Sequence, residues 1–409
     1  MDAISRRKML MSGGALGALG ALSLATPANA RSLWTWAPDT SVAGTGSGVD
    51  PQWVWDEEAD PVLAAVLDRG NVAAINEQLA TWPRNDQAPP AGLPADLREF
   101  MDHARQLPSW ADPVKLDRAS RINSKKGIYI GALYGLGSGL MSTAIPREAR
   151  AVYYSKGGAD MKDRIAKTAK LGYDIGATDA YLPQGSMIVT AVKTRMVHAA
   201  VRHLLPQSPA WTQTSGGQTI PISQADILVT WHSLATFVMC KMKEWGVRVS
   251  ADDAEAYLHV WQVSAHMLGV RDEYIPASWD AANAQSKQIL DPVLAASPEG
   301  KALTEVLLGI VAQLDLGLTR PLISAFSRYT LGDRIGNMIG LSQEPILEPL
   351  IATAWPLLVA FREGLIPLPV IPAIAWTLEE ALRQFVLLFL NEAQPIAITI
   401  PDMNRPSST

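Results

Sequence analysis

The chain has 409 residues, of which 48% are hydrophobic and 18% charged, and carries a net charge of −5. This length allows one large domain or two smaller ones, and an acidic balance without a basic patch excludes nucleic-acid binding. A single cysteine, Cys240, excludes an internal disulfide; on a helix it is expected to be a small buried apolar side chain.

Residues 1–30 read as an export signal. Ser5-Arg6-Arg7-Lys8-Met9-Leu10 is a twin-arginine pattern, an apolar run follows from Met11 to Ala25, and Ala28-Asn29-Ala30 ends it with the small residues of a cleavage site. Cleavage after Ala30 leaves 409 − 30 = 379 residues, expected to form one domain over 31–409 that reaches the cell exterior. Residues 31–52 are rich in Gly, Ser and Thr and are expected to be a flexible lead-in. Asp60-Pro61 then supplies the cap and first turn of a helix. Short helices separated by Pro-rich breaks continue to about Ser120.

Gly127 to Pro146 carries no charge and is long enough to raise a membrane span, but five glycines and several hydroxyls favour a buried helix instead. Gly127, Gly131, Gly135 and Gly139 recur every four residues, leaving one bare side on which another flat object can lie closely. Gly135-x-Gly137-x-Gly139 lacks the third spacing of a dinucleotide loop, and no strand precedes it.

Residues 160–205 read as two helices joined by a loop, each with polar side chains out of place. Around Met161 to Tyr173, a step of about 100° per residue puts Arg164, Lys167 and Thr168 on the arc of Met161 and Leu171, while Lys162, Asp163 and Lys170 face solvent. From Met187 to Leu205 the helix is apolar almost all round and therefore buried. Yet Thr194, Arg195, His198 and Arg202 share one side, and buried charges must be paired or neutralised. A histidine flanked by two arginines suits a neutral imidazole metal ligand beside an anionic cofactor, with Arg195 and Arg202 holding its carboxylates. A satisfied core histidine and a salt-bridged Lys167 are the alternatives at the same positions.

Ser223-Gln224-Ala225-Asp226 opens a helix to about Trp245, and Ser250-Ala251-Asp252-Asp253 another to Leu268. His232 lies on the first. Glu255, His259 and His266 lie on the second, on one side, and form a rival zinc or iron site, although the Glu-x-x-His of di-iron bundles is absent. His103 and His203 have no evident partners. From Lys301 to Asn391 apolar helices follow one another, broken by prolines such as Pro321, Pro345 and Pro356, and charges interrupt them too often for a membrane span. Arg328 in this stretch is expected at the surface. Residues 396–400 are the one good strand candidate, and the tail over 402–409 is expected to be disordered.

The Arg164-x-x-Lys167-Thr168 stretch followed by Arg195-x-x-His198-x-x-x-Arg202 resembles the latex clearing proteins, the haem b rubber oxygenases of actinobacteria, along the whole chain. The resemblance implies an all-α fold with a globin-like helical core and additional N- and C-terminal helices. It implies a secreted dioxygenase that cuts cis-1,4-polyisoprene at its double bonds with O2, leaving aldehyde and ketone ends. His198 is then the proximal iron ligand, Lys167 a displaceable distal ligand, Arg164 and Thr168 its positioning groups, and Glu148 a candidate base; on its own Glu148 reads as a first-turn carboxylate. The sequence holds no Cys-x-x-Cys-His, so the haem would be non-covalent. Two other classes fit the residues: a non-haem metal hydrolase or oxygenase built on Glu255, His259 and His266, and an exported lipid or terpenoid binder in which Arg164, Arg195 and Arg202 grip an acidic headgroup.

Overall fold

Helices begin where the sequence places its caps. Ser223 Oγ accepts from the Asp226 amide at 3.3 Å while the Asp226 carboxylate accepts from the Ser223 amide at 2.9 Å, a closed capping box. Ser250 Oγ accepts from the Asp253 amide at 3.2 Å. The structure, a computed structural model, describes residues 34–155, 161–312, 320–366 and 397–405. It is all-α, with no β-strand among the described residues.

In chain order the helices are α1 Ala59–Asp68, α2 Val72–Ala80, α3 Ala95–Ala104, α4 Pro113–Ala132, α5 Pro146–Tyr154, α6 Met161–Gly176, α7 Met187–Leu204 and α8 Pro209–Thr214. They continue as α9 Gln224–Trp231, α10 Phe237–Glu244, α11 Ala251–Met267, α12 Trp279–Ile289, α13 Pro298–Ala312, α14 Arg320–Ile339 and α15 Leu347–Arg362. The helix pair expected over 160–205 is present as α6 and α7, which pack together. Helix α7 also packs on α1 and α11, and α11 packs along α4. On α7, Met187, Val189, Val192 and Met196 are buried; each such side chain contributes roughly 1.5–3 kcal/mol on leaving water.

The helix that starts at Pro113 does not stay α-helical. Leu133–Gly139 is a π-helical stretch, and His232–Thr236, between α9 and α10, is another; the two pack against each other, and Ser138 Oγ donates to the Ser233 carbonyl across them. Such wide turns insert a residue into the helical ladder and gather at functional sites. A Cβ on Gly137 would lie 2.7 Å from the Phe237 ring, a closer approach than in the expected row, where a Cβ on Gly139 would lie 3.3 Å from the Tyr134 carbonyl and one on Gly127 would meet nothing within 4 Å.

Helix α7 has no cap of its own, because the Ser186 side chain makes no capping bond. Asn85 supplies it from a distant loop. Its Oδ1 accepts from the amides of Ile188 (3.0 Å) and Val189 (3.5 Å), and its Nδ2 donates to the carbonyls of Ala180 and Leu182, both at 2.8 Å. One buried side chain thus satisfies orphan amides of the helix and ties down the loop before it. Inside α7, Lys193 Nζ reaches the carbonyls of Leu79 (2.7 Å) and Trp82 (2.9 Å), capping α2 at its C-terminal end.

Several expectations are corrected. The lead-in is anchored as far as it is described: the Val42 amide bonds Ile275 O at 2.9 Å, and Ser47 Oγ bonds Glu273 at 2.9 Å. Helix α1 begins at Ala59, one residue before Asp60. Residues 397–400 form no strand; Asn76 clamps Ile400 in both directions at 2.9 Å, because no neighbouring strand offers a ladder. The tail is ordered through Arg405, whose amide bonds Tyr154 O at 3.1 Å. Cys240 is exposed, with its thiol 3.3 Å from Asn283 Oδ1. Arg328 is buried, not superficial, because the Leu341 carbonyl, Asp333 and Asn337 bind its guanidinium at 2.8–3.0 Å. The break inside α14 falls at Gly332 (φ +79°) and not at a proline. No single helix among the described residues is long and apolar enough to cross a membrane. The signal over 1–30 and the last apolar segments, 367–396, lie outside the described residues.

Candidate functional site

The polar side of α7 is held from the segment leading into α1. Asp56 accepts two hydrogen bonds from Arg195, Nε at 2.6 Å and Nη2 at 2.8 Å, and Arg195 Nη2 also reaches Glu58 at 2.9 Å. Arg202 Nε bonds Asp60 at 2.7 Å, its Nη1 bonds Ile222 O at 3.1 Å, and its Nη2 lies 3.8 Å from Asp56 without a hydrogen bond. The anionic partners that the two buried arginines require are therefore supplied by the chain itself; only one nitrogen of Arg202 is left unbonded. Burial alone would raise the Asp56 carboxyl, but the hydrogen bonds and charge of Arg195 hold it below the usual carboxylate range.

His198, midway between these arginines, differs from the buried His232. His232 bonds Thr236 Oγ1 and Gln285 Oε1, one through each ring nitrogen, at 2.8 and 2.9 Å. His198 Nδ1 is buried without a partner, and Nε2 makes no hydrogen bond among the described residues. Burial first, then the charges of Arg202 and Arg164, lower its pKa to about 3, so the imidazole is neutral with its lone pair available.

Glu148 and Arg164 join this histidine. Burial raises the Glu148 carboxyl to about 8, and the nearby Asp226 adds to the rise; a hydrogen bond from Thr230 Oγ1 (2.7 Å) and the charge of Arg164 oppose it. Burial pushes the Arg164 guanidinium below its usual range, countered by Glu148. His198, Arg164 and Glu148 are each half-buried. Tyr134 and Tyr181 are half-buried too. A surface cleft of about 300 Å³ bordered by Arg118, Lys125, Arg248 and Asp253 includes none of these groups.

The rest of the predicted set is placed less centrally. Lys167 Nζ pairs with Asp163 at 2.7 Å and with Thr399 Oγ1 at 3.0 Å, the salt-bridged arrangement, so Asp163 does not simply meet solvent. Lys170 likewise pairs with the buried Asp174 at 2.8 Å. Thr168 is exposed, and its hydroxyl bonds the Arg164 carbonyl one turn back at 3.1 Å.

The rival metal trio is not assembled. His259 Nε2 accepts from the Asp112 amide at 2.8 Å, His266 Nδ1 meets Asp272 at 2.7 Å, and Glu255 faces Lys115 at 3.9 Å. The Trp110 ring packs edge-on against both imidazoles. Among the described residues no group of three or more His, Cys, Asp or Glu could hold a metal ion. His103 and His203 sit near Glu58 (3.4 Å) and Asp68 (3.2 Å).

Sequence reading missed Asp56, Asn85 and Thr230, because each meets the site across a long stretch of chain. The one available signal was the unpaired charge on α7, which required carboxylates somewhere without saying where.

An unsatisfied neutral imidazole, a proton-holding carboxyl and a guanidinium thus come together on an all-helical scaffold. The family described as ER-bound oxygenase mpaB/B'/Rubber oxygenase, catalytic domain, matches residues 127–361, the stretch that carries Glu148, Arg164, Lys167, His198 and Thr230. The chain belongs to this rubber oxygenase family. It is 79% identical, over 407 residues and 100% of both chains, to the Rubber oxygenase of Streptomyces sp. (strain K30). A solved structure of the latex clearing protein LCP in the closed state superposes with a TM-score of 0.88 at 80% identity, covering 90% of this chain and 100% of that one.

Proposed function

We propose that the chain is an exported haem b dioxygenase that cleaves the backbone double bonds of cis-1,4-polyisoprene with O2, giving fragments with aldehyde and ketone ends. The observation that carries this reading is His198: a neutral imidazole whose Nδ1 is buried without a hydrogen-bond partner among the described residues. The residues fit a haem: His198 would ligate the iron, and Arg202, with Nη2 unbonded, has a donor to spare for a propionate, whereas Nε and Nη2 of Arg195 are already taken by Asp56 and Glu58. Bound haem would supply activation of O2, and O2 is the oxidant for C=C scission.

The chain's own groups handle protons and access. Glu148 holds a proton on its carboxyl up to about pH 8; once deprotonated, it is the base for an allylic proton of the polymer, with Arg164 stabilising the anion and Thr230 fixing one oxygen. Lys167 must leave Asp163 and Thr399 before its amine could serve as a displaceable ligand, and Thr168 stiffens the turn that carries Arg164. A long hydrocarbon cannot enter a cell, which fits the twin-arginine signal over residues 1–30 and places the activity outside.

The test is an absorption spectrum of the purified protein, oxidised and reduced. A Soret band is expected in the wild type and should vanish in His198→Ala. Full haem content in that variant would remove the ligand assignment. A colourless wild type that retains fatty ligands would favour the lipid-binding alternative.

A further inference from the structure

We propose that Asp56 is a positioning residue for His198: one buried carboxylate that holds the arginine a turn before the imidazole by two hydrogen bonds and faces the arginine a turn after it as an ion pair, bracing that side of α7 and balancing the charge beside it.

Arg195 and Arg202 are seven residues apart, about 10 Å along a helix, with His198 between them. Asp56, 4% exposed, is the only group that faces both among the described residues: its oxygens take Arg195 at 2.6 and 2.8 Å, and Oδ2 lies 3.8 Å from Arg202 Nη2. The carboxylate is itself fixed, since Oδ1 also accepts from the Ala59 amide at 3.2 Å. Gly269 closes over the pair. A Cβ there would lie 2.5 Å from Asp56 Oδ2 and 2.6 Å from Arg195 Nε, and its φ of +89° favours glycine independently. The loop carrying it is tied in place by Gln224, which donates to Gly269 O at 2.8 Å and accepts from the Arg271 amide at 2.9 Å.

Glu58 and Asp60 each touch one arginine only, and both are more exposed. A buried fixed charge close to a ligand is felt through a low local dielectric and sets both its orientation and its donor strength. This rests on the haem reading above. On that reading the sign follows directly: removing the negative charge of Asp56 disfavours Fe(III) and raises the Fe(III)/Fe(II) potential, whereas removing the positive charge of Arg195 lowers it.

The experiment compares wild type, Asp56→Asn, Arg195→Met and Glu58→Gln by spectroelectrochemical titration and by amide hydrogen exchange along α7. Opposite shifts of potential are expected for Asp56→Asn and Arg195→Met, a pattern that loss of packing alone does not produce, with Glu58→Gln close to wild type. Exchange at residues 195–202 should quicken at least tenfold in Asp56→Asn relative to Glu58→Gln. Shifts of the same sign, no shift, or unchanged exchange would overturn the proposal. If Asp56→Asn does not fold, Arg195→Met decides: a lowered potential supports the clamp, and an unchanged or raised one refutes it. A colourless wild type would instead defeat the haem reading, and the exchange comparison would still decide whether Asp56 braces the helix.

Discussion

Replacing Glu148 by glutamine keeps the shape of the side chain and removes its titration. The folded protein holds the Glu148 proton up to about pH 8, whereas the unfolded chain releases it from about 4.5. Between these values the folded state binds more protons, so this group makes stability fall as pH rises through the window. The loss is absent below 4.5 and complete above about 8. From pH 5.5 to 7.5 it amounts to at most about 2.7 kcal/mol at 1.36 kcal/mol per unit, less where water solvates the anion. Guanidinium unfolding of the apoprotein at both pH values, wild type against Glu148→Gln, measures it; His198 and Asp60 titrate in both proteins and largely cancel. The wild type should lose more stability than the variant over this interval. Equal losses would refute the buried, proton-holding carboxyl and with it the base assignment. In turnover, wild-type rate should climb with pH through about 8 as the carboxylate forms, and Glu148→Gln should fall about 10²–10⁴-fold with no such climb.

Lys167→Ala should retain haem and alter the visible spectrum of the resting enzyme; an identical spectrum would leave Lys167 as a salt bridge to Asp163 and no more. Asn85→Ala strips the N-terminal cap of α7 and two loop contacts, leaving buried groups unbonded, and should cost about 3 kcal/mol in chemical denaturation; a loss under about 1 kcal/mol would show that water replaces it. Gly137→Ala drives a methyl group against the Phe237 ring and should destabilise by about 1–3 kcal/mol. An unchanged unfolding midpoint would mean that the two π-helical segments separate at little cost.

The chain by itself determined its helical class, the caps at Ser223 and Ser250, and the presence of an anomalous pair of helices at the centre. Those are local properties: a hydroxyl three residues before an amide, or a charge on an apolar face, is read within one or two turns. It also marked His198, because an imidazole between two guanidiniums on a buried helix is out of place wherever the helix lies. What the sequence left open was which carboxylates answer those guanidiniums, and there the reading assigned to a cofactor what Asp56, Glu58 and Asp60 largely do, nearly 140 residues away. Glu148 could not be picked out locally, since its raised pKa comes from enclosure and from Asp226, Thr230 and Arg164 on other elements. Cys240 and Arg328 exchanged their expected places for a similar reason: burial depends on what packs against a helix, and a single sequence cannot show that. Only the tertiary structure decided the site, because its electrostatics arise from groups that touch in space and are far apart along the chain.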